Sequence, residues 1–480
     1  MFRWQTIVGV IIGLVAGGGI LALTNGPGRG PVPSGPILSE CDGHLRELVL
    51  HYEPSAKGIT APVYRDFLGA LDGDVGVHIV CPDRAAFDDF LAMAGQVKCR
   101  VSPILAGHPI TTWSRDRWVA LMPAAPGGAT TLWSPRGEAG DEIWPARAGD
   151  ERVGQDIAAA LAPTVMARRS GLFFDGGDFL ADGDTVFVVP RVLQRNIQHT
   201  AASREEFLGN LSRELKRRVI LLDEAPDHHA GMFMASVGNR TMLVGDPSLS
   251  REMVSAEMAR ANQAGTNEFM GLPGGPDFTP QTQHLFDAVA RQCEAVGYRV
   301  VRIPVVPARD GRTYLTYVNV LMDQQGSRRV VYLPFYRGAE PLNADARRVW
   351  ESLGYEIRPV DCTSSYRHFG CLHCLVNVLQ RSLHSPTLDA RTAFRLPIGG
   401  ARPATTQGWS LPVAPGLREA FGVRAACCRF GRRSYPKAAA SCAHSKRCRA
   451  IRSLVVCRIP AANRVRQRTA RLRFRWLGAA

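Results

Sequence analysis

The chain has 480 residues, 45% hydrophobic, 21% charged and 8% aromatic, which excludes a wholly disordered or collagen-like polypeptide, since neither carries enough apolar surface for a core. The formal net charge of +15 sits at one end: His384 to Ala480 holds 20 Lys+Arg against Asp389 and Glu419, while the first 383 residues hold 38 basic and 41 acidic side chains. The charge of the body gives no ground for nucleic-acid binding.

No charged residue occurs from Trp4 to Gly28, and Ile7 to Leu23 is an apolar run behind a single Arg3. A run of this kind at the start of a chain reads as a signal anchor or signal peptide over residues 1–28. It implies a membrane-anchored or exported body, of bacterial type. A Gly/Pro-rich linker is expected over 29–44, a single catalytic domain over 45–383, and a poorly ordered Arg-rich tail over 384–480. Seven of the twelve cysteines are scattered through the body, so the chain is not a disulfide scaffold.

In chain order, Leu48 to His51, Val75 to Cys81 and Arg100 to Leu105 read as strands, with a helix capped by Asp83 and running to Gly95 between the last two. Gln155 to Leu161, Glu205 to Leu215, Gln281 to Ala295 and Ala344 to Leu353 read as further helices. Val219 to Leu222, Met242 to Gly245, Arg299 to Pro304, Tyr314 to Met322 and Arg329 to Pro334 read as strands. This alternation predicts an α/β body of many short units.

Four segments carry reactive side chains: Trp113 to Trp118, Phe174 to Leu180, His228 to Phe233 and Gly370 to Asn377. Each has an ordinary reading. Asp116 between arginines suits a surface ion pair, Asp175-Gly-Gly-Asp178 a turn, the histidines a structural role, and Cys371-x-x-Cys374 a redox or zinc pair. Together they supply a thiol, an imidazole and several carboxylates beside predicted strands. That set suits cysteine attack on a planar, cationic carbon. Carboxylates grip the N–H donors of a guanidinium, a thiolate adds to its carbon, and a histidine protonates departing ammonia before activating water. A carboxylate beside the histidine fixes its tautomer.

Over about Thr111 to Arg381 the order of these segments resembles the guanidine-modifying superfamily of deiminases, dihydrolases and amidinotransferases. Gly370-x-x-His373-Cys374-x-x-Asn377 is most similar to the nucleophile motif of protein-arginine deiminases, and Trp113-x-x-Asp116 to their first guanidinium-binding aspartate. Asp175-Gly-Gly-Asp178 and His229-x-x-x-Phe233 are nearer to the dimethylarginine hydrolases. The resemblance implies a five-bladed α/β propeller of ββαβ modules and a deiminase forming a cysteine thiouronium adduct, without cofactor or metal. It assigns Cys374 as nucleophile, His229 as acid/base, Asp175 as the acid that orients the histidine or grips the guanidinium, and Asp116, Asp178 and Asn319 to the substrate.

Two departures stand out. Protein-arginine and agmatine deiminases place an aspartate two residues after the histidine, where this chain has Gly231. The calcium ligands that animal protein-arginine deiminases carry near the first aspartate are replaced by Arg115, Arg117 and Val119, so no calcium requirement is expected. Peptidyl-arginine, agmatine and methylarginine stay open as substrates. A non-catalytic guanidine-binding relative and nucleic-acid binding through the tail are the readings from other classes. The tail itself reads either as an anion-binding extension or as an out-of-frame product of GC-rich DNA.

Overall fold

The computed structural model describes residues 34–137, 145–263 and 269–382. The expected anchor (1–28) and tail (384–480) lie outside the described residues, among which no helix is long and apolar enough to cross a membrane.

The described chain is built from five small mixed sheets. Its first strands and helices are β1 (Ser34–Ile37), β2 (His44–His51), α1 (Lys57–Ala70), β3 (Gly76–Cys81), α2 (Arg84–Ala94) and β4 (Arg100–Leu105). There follow β5 (Val119–Pro123), β6 (Thr130–Ser134), α3 (Pro145–Ala160) and β7 (Val165–Arg169), then β8 (Phe179–Asp182), β9 (Thr185–Val188), α4 (Pro190–Asn196), α5 (Arg204–Leu215) and β10 (Arg218–Leu221). The fourth sheet uses β11 (Met234–Ser236), β12 (Thr241–Asp246), α6 (Pro247–Gln263), α7 (Pro280–Ala295), β13 (Arg299–Pro307) and β14 (Tyr314–Thr316). The last segments are β15 (Leu321–Gln325), β16 (Arg328–Phe335), α8 (Glu340–Ser352), β17 (Glu356–Asp361), the single turn α9 (Leu372–Leu375) and β18 (Val376–Ser382).

One pattern recurs in all five sheets: an antiparallel pair, then a parallel neighbour reached through helix. It is seen in β5–β6–β7, β8–β9–β10, β11–β12–β13 and β15–β16–β17. The fifth example is assembled from both ends of the fold, because β18 pairs antiparallel with β2, which pairs parallel with β3. The strands β3, β6, β9 and β12 inside the sheets are buried along almost their whole length, whereas their outer parallel partners β4, β7 and β10 are partly exposed. Helix starts follow local chemistry: the side chains of Asp83, Ser203 and Thr279 accept from Ala86, Glu206 and Thr282 amides at 2.8, 3.1 and 3.4 Å. Trp118, Trp133, Trp350, Tyr64 and Phe67 are among the largest fully buried side chains of the core.

The structure changes three expectations. The linker expected over 29–44 ends by Ser34. Ser34–Ile37 pairs with β5, and Glu40 and Cys41 are buried. Polar and glycine-rich text concealed a strand whose burial depends on partners far along the chain. The single strand expected over Tyr314 to Met322 is two, β14 and β15. Between them the backbone bonds to side chains instead of a ladder: Trp350 Nε1 donates to the Tyr317 carbonyl at 3.0 Å and the Val318 amide to Thr316 Oγ1 at 3.4 Å. The α3 helix also begins ten residues before the expected Gln155.

Glu40 pairs with Arg115 and lies 3.2 Å from His373, and Arg381 donates to its carbonyl at 2.9 Å. A chain starting at Leu45 is therefore expected to melt well below one starting at Ser34, by roughly 3–5 kcal/mol for a broken buried pair. Equal thermal unfolding midpoints of the two chains would contradict this account.

Candidate active site

Each sheet delivers one candidate residue from the segment just ahead of the first strand of its antiparallel pair. Asp116 precedes β5, Asp175 precedes β8, His229 precedes β11, Asn319 precedes β15 and Cys374 precedes β18. The five expected residues are thus brought together across some 260 positions of sequence.

Cys374 is 3% exposed at the end of α9. Asn319 Nδ2 donates toward its sulfur at 3.5 Å, and Asn319 Oδ1 accepts from the His373 and Cys374 amides at 2.9 and 3.4 Å. Asn319 is therefore bonded to the nucleophile turn and to the Gly231 carbonyl, at 3.1 Å, as well as lining the cavity. Cys371 points elsewhere, 3.2 Å from the Tyr336 hydroxyl, and both cysteines are free thiols. The two sulfurs do not share a partner, which disfavours the redox or zinc reading of Cys371-x-x-Cys374.

His229 lies between two carboxylates, its Nε2 3.9 Å from Asp116 Oδ1 and 3.8 Å from Asp175 Oδ2. Burial works against a charged imidazole, but Asp116, then Asp175 and the Cys374 sulfur, overcome it and raise the His229 pKa to about 10. Gly177 makes the approach possible, because a Cβ there would fall 2.6 Å from the His229 ring. The preceding His228 is held neutral by burial and by the neighbouring His229 charge, and its Nδ1 accepts the His229 amide at 2.7 Å.

Asp175 is mostly shielded from solvent, yet hydrogen bonding to His229 and the charges of Arg147, His229 and Arg191 hold it well below the usual carboxylate range. Arg117, Arg147, Arg191 and Arg195 approach it at 3.3, 3.6, 3.4 and 3.5 Å. Asp116 uses Oδ2 for Arg147, at 3.1 Å, while its Oδ1 is buried without a hydrogen-bond partner. Asp178 is fully buried; Oδ1 takes Arg191 Nε at 2.6 Å and Oδ2 takes the Asp175 amide at 2.8 Å. Its carboxylate thus ties down the turn and Arg191, a different place from the substrate contact expected of it.

Cys374, His229, Asn319, Gly231, His373 and Arg115 line one cavity, together with Gly177, Phe179 and Leu180. Asp116 and Asp175 stand behind His229 in this arrangement. Among the described residues two groups are spaced closely enough to hold a metal, Asp175–Asp178–His229 and Cys41–Asp42–Asp182. The first already has Arg147, Arg191 and Arg195 against its carboxylates, which opposes a further cation. Sequence reasoning missed Glu40, Arg147 and Arg191, whose signals are single charges in unremarkable text, and gave His373 no role although it stands in the Gly370 to Asn377 motif. The site can thus offer a thiol, a protonated imidazole and a buried, unpaired carboxylate oxygen.

The His229 shift has a sign that can be tested. Its pKa is raised, so its stabilising contribution is fully present below 6.5 and is lost as pH rises through about 10. Titration of the imidazole by NMR is expected to show a charged ring at neutral pH and a midpoint at least one unit lower in Asp116→Asn. An ordinary histidine midpoint in the unsubstituted chain would remove the carboxylate clamp from the account.

No family model matches the sequence, and no curated protein matches it. Solved structures do match. The agmatine deiminase of Campylobacter jejuni superposes with a TM-score of 0.53 at 14% identity, over 72% of this chain and 97% of that one. The agmatine deiminase of Enterococcus faecalis superposes with a TM-score of 0.53 at 13% identity, over 74% and 98%. At such identities the likeness is one of fold, and the chain has the mixed α/β fold of these guanidine-modifying enzymes.

Proposed function

We propose that the chain is a guanidine hydrolase of the deiminase type, with its five sheets arranged as the blades of an α/β propeller closed by β18 on β2. The observation that carries the reading is that four separate sheets bring Cys374 and His229 to the wall of one cavity and set Asp116 and Asp175 against His229 behind that wall. The fold shared with agmatine deiminases supports it.

In this mechanism a substrate guanidinium enters the cavity beside Cys374 and His229, and Asp116, whose buried Oδ1 has no hydrogen-bond partner and lies 3.9 Å from His229 Nε2, attracts its charge from behind the imidazole. The Cys374 thiolate adds to the carbon. His229, charged at neutral pH, gives its proton to one nitrogen, which leaves as ammonia and yields a thiouronium adduct. Neutral His229 then takes a proton from water, the hydroxide displaces the sulfur, and a ureido product departs. The sum is guanidinium plus water to urea derivative plus ammonium. Peptidyl-arginine is the substrate class favoured by the Gly370 to Asn377 motif, with agmatine and methylarginine as the small-molecule alternatives.

A second reading rests on Arg147. Its guanidinium already occupies Asp116 Oδ2 and approaches Asp175, as a bound ligand does, which favours a retired site that binds partners without turnover. An ammonia-release screen over arginine, agmatine, methylarginines and arginyl peptides separates the two. Turnover is expected with at least one, abolished in Cys374→Ser because a hydroxyl is far less ionised than a thiol at neutral pH. Cys371→Ser is expected to keep it. Equal loss in both variants, or neither ammonia nor, from methylarginines, a methylamine released from any guanidine, would sink the hydrolase reading.

A further inference from the structure

The cavity contains a second buried histidine that the mechanism above does not use. His373 is 6% exposed and lines the cavity next to Cys374. Its Nε2 lies 3.2 Å from Glu40 Oε2. Glu40 is itself a firm carboxylate: burial opposes its charge, but Arg115 and His373 hold its pKa at about 2. The Nε2 contact misses hydrogen-bond geometry, but a lone pair on that nitrogen would be repelled by the ionised carboxylate, and this assigns the proton to Nε2. Burial outweighs the pull of Glu40 and lowers the His373 pKa, so the ring is neutral and its other nitrogen, Nδ1, is a bare acceptor. Among the described residues that Nδ1 has no hydrogen-bond partner.

Nδ1 lies beside Gly231, the position where the sequence lacks the expected aspartate. A Cβ placed on Gly231 would meet only Asn319 Nδ2 at 3.4 Å and His373 Nδ1 at 3.7 Å. The room left by the absent carboxylate is therefore bordered by one donor and one neutral acceptor. We propose that His373 Nδ1, oriented by Glu40, accepts an N–H of the bound guanidinium or amidinium in place of the missing carboxylate. His373 then acts as a specificity-determining residue: Asp116 attracts the cationic substrate from behind His229, and the neutral His373 Nδ1 on the cavity wall accepts one of its N–H groups. The inference rests on the hydrolase reading only for the nature of the ligand.

The test uses reagents that report recognition without turnover. 2-Chloroacetamidine is an amidinium, and 2-chloroacetamide is its neutral counterpart; in each the Cys374 sulfur forms a bond to carbon as chloride leaves. The ratio of their rates at Cys374, located by peptide mass spectrometry, cancels changes in thiol reactivity and reads amidinium recognition. The full chain is expected to favour the amidinium. His373→Leu is expected to lower the ratio about tenfold, the loss of a hydrogen bond to a charged group. His373→Asn, whose oxygen falls near the place of Nδ1, is expected to restore it within about twofold. His373→Gln places its polar atoms toward Glu40 and is expected to behave like His373→Leu. If the leucine variant does not fold, the asparagine and glutamine variants carry the comparison. An unchanged ratio in His373→Leu, equal ratios in the Asn and Gln variants, or no preference in the unsubstituted chain overturns the proposal. Ammonia release is scored separately, so a chain that keeps the preference and its His373 dependence without turnover loses the hydrolase reading alone.

Discussion

The site depends on holding one imidazolium between two buried carboxylates. Taking three ionised groups out of water costs several kcal/mol each unless each is compensated at short range. The compensation is a ring of arginines: Arg117, Arg147, Arg191 and Arg195 around Asp175, with Arg147 shared by Asp116 and Arg191 by Asp178. Glu151 completes the balance on Arg117 at 2.8 Å. Because these groups are mutually paired, removing any one leaves an uncompensated charge in a low-dielectric place. The arrangement holds the Asp175 carboxylate ionised and the histidine charged at the same pH, which is the state that the proposed acid catalysis needs.

Topology makes that ring possible. A strand that begins an antiparallel pair must be entered by a segment whose backbone is not yet in the ladder, so its amides and carbonyls are available for other work. At Asn319 and Cys374 they are used directly: the Cys374 amide reaches Asn319, and the Arg115 amide reaches the Cys374 carbonyl at 3.4 Å. Asn377, in β18, donates to the Ser114 and Trp118 carbonyls at 3.1 and 3.0 Å and so pins the Asp116 turn to the nucleophile strand. The pairing of β18 with β2 is the closure that makes these contacts, between residues some 260 positions apart.

Much of this was legible because short-range rules set it. The helices after Asp83, Ser203 and Thr279 follow from a capping side chain and an apolar stripe, and Cys374, His229, Asp116 and Asp175 stand in compact motifs. What could not be read depends on partners distant in sequence. Glu40 lies in text that looks like a linker, and only its pairing with Arg115 and His373 makes it part of the site. Asp178 looks equivalent to Asp175 in a Gly-Gly turn, yet the turn aims the two carboxylates differently, one at His229 and one back at Arg191 and the Asp175 amide. The break between β14 and β15 is set by Trp350, thirty residues on, capturing a carbonyl that a continuous strand would need.

The three histidines around the cavity show how one side-chain type takes opposite states a few ångströms apart. His229 faces Asp116 and Asp175 together, and two carboxylates outweigh the cost of burying its charge. His373 faces only Glu40, whose charge is already answered by Arg115, so burial wins and the ring is neutral. His228 faces the charged His229 and no carboxylate in contact, and it is the most firmly neutral of the three in its causes: burial and like charge act in the same direction. The division follows from counting uncompensated carboxylates at each ring. An aspartate at position 231 would alter that count for His373, drawing a proton onto its open nitrogen and converting an acceptor into a donor. Glycine at 231 and a neutral histidine at 373 are in this sense one feature, because the room without a carboxylate leaves the histidine nitrogen as the acceptor at its border.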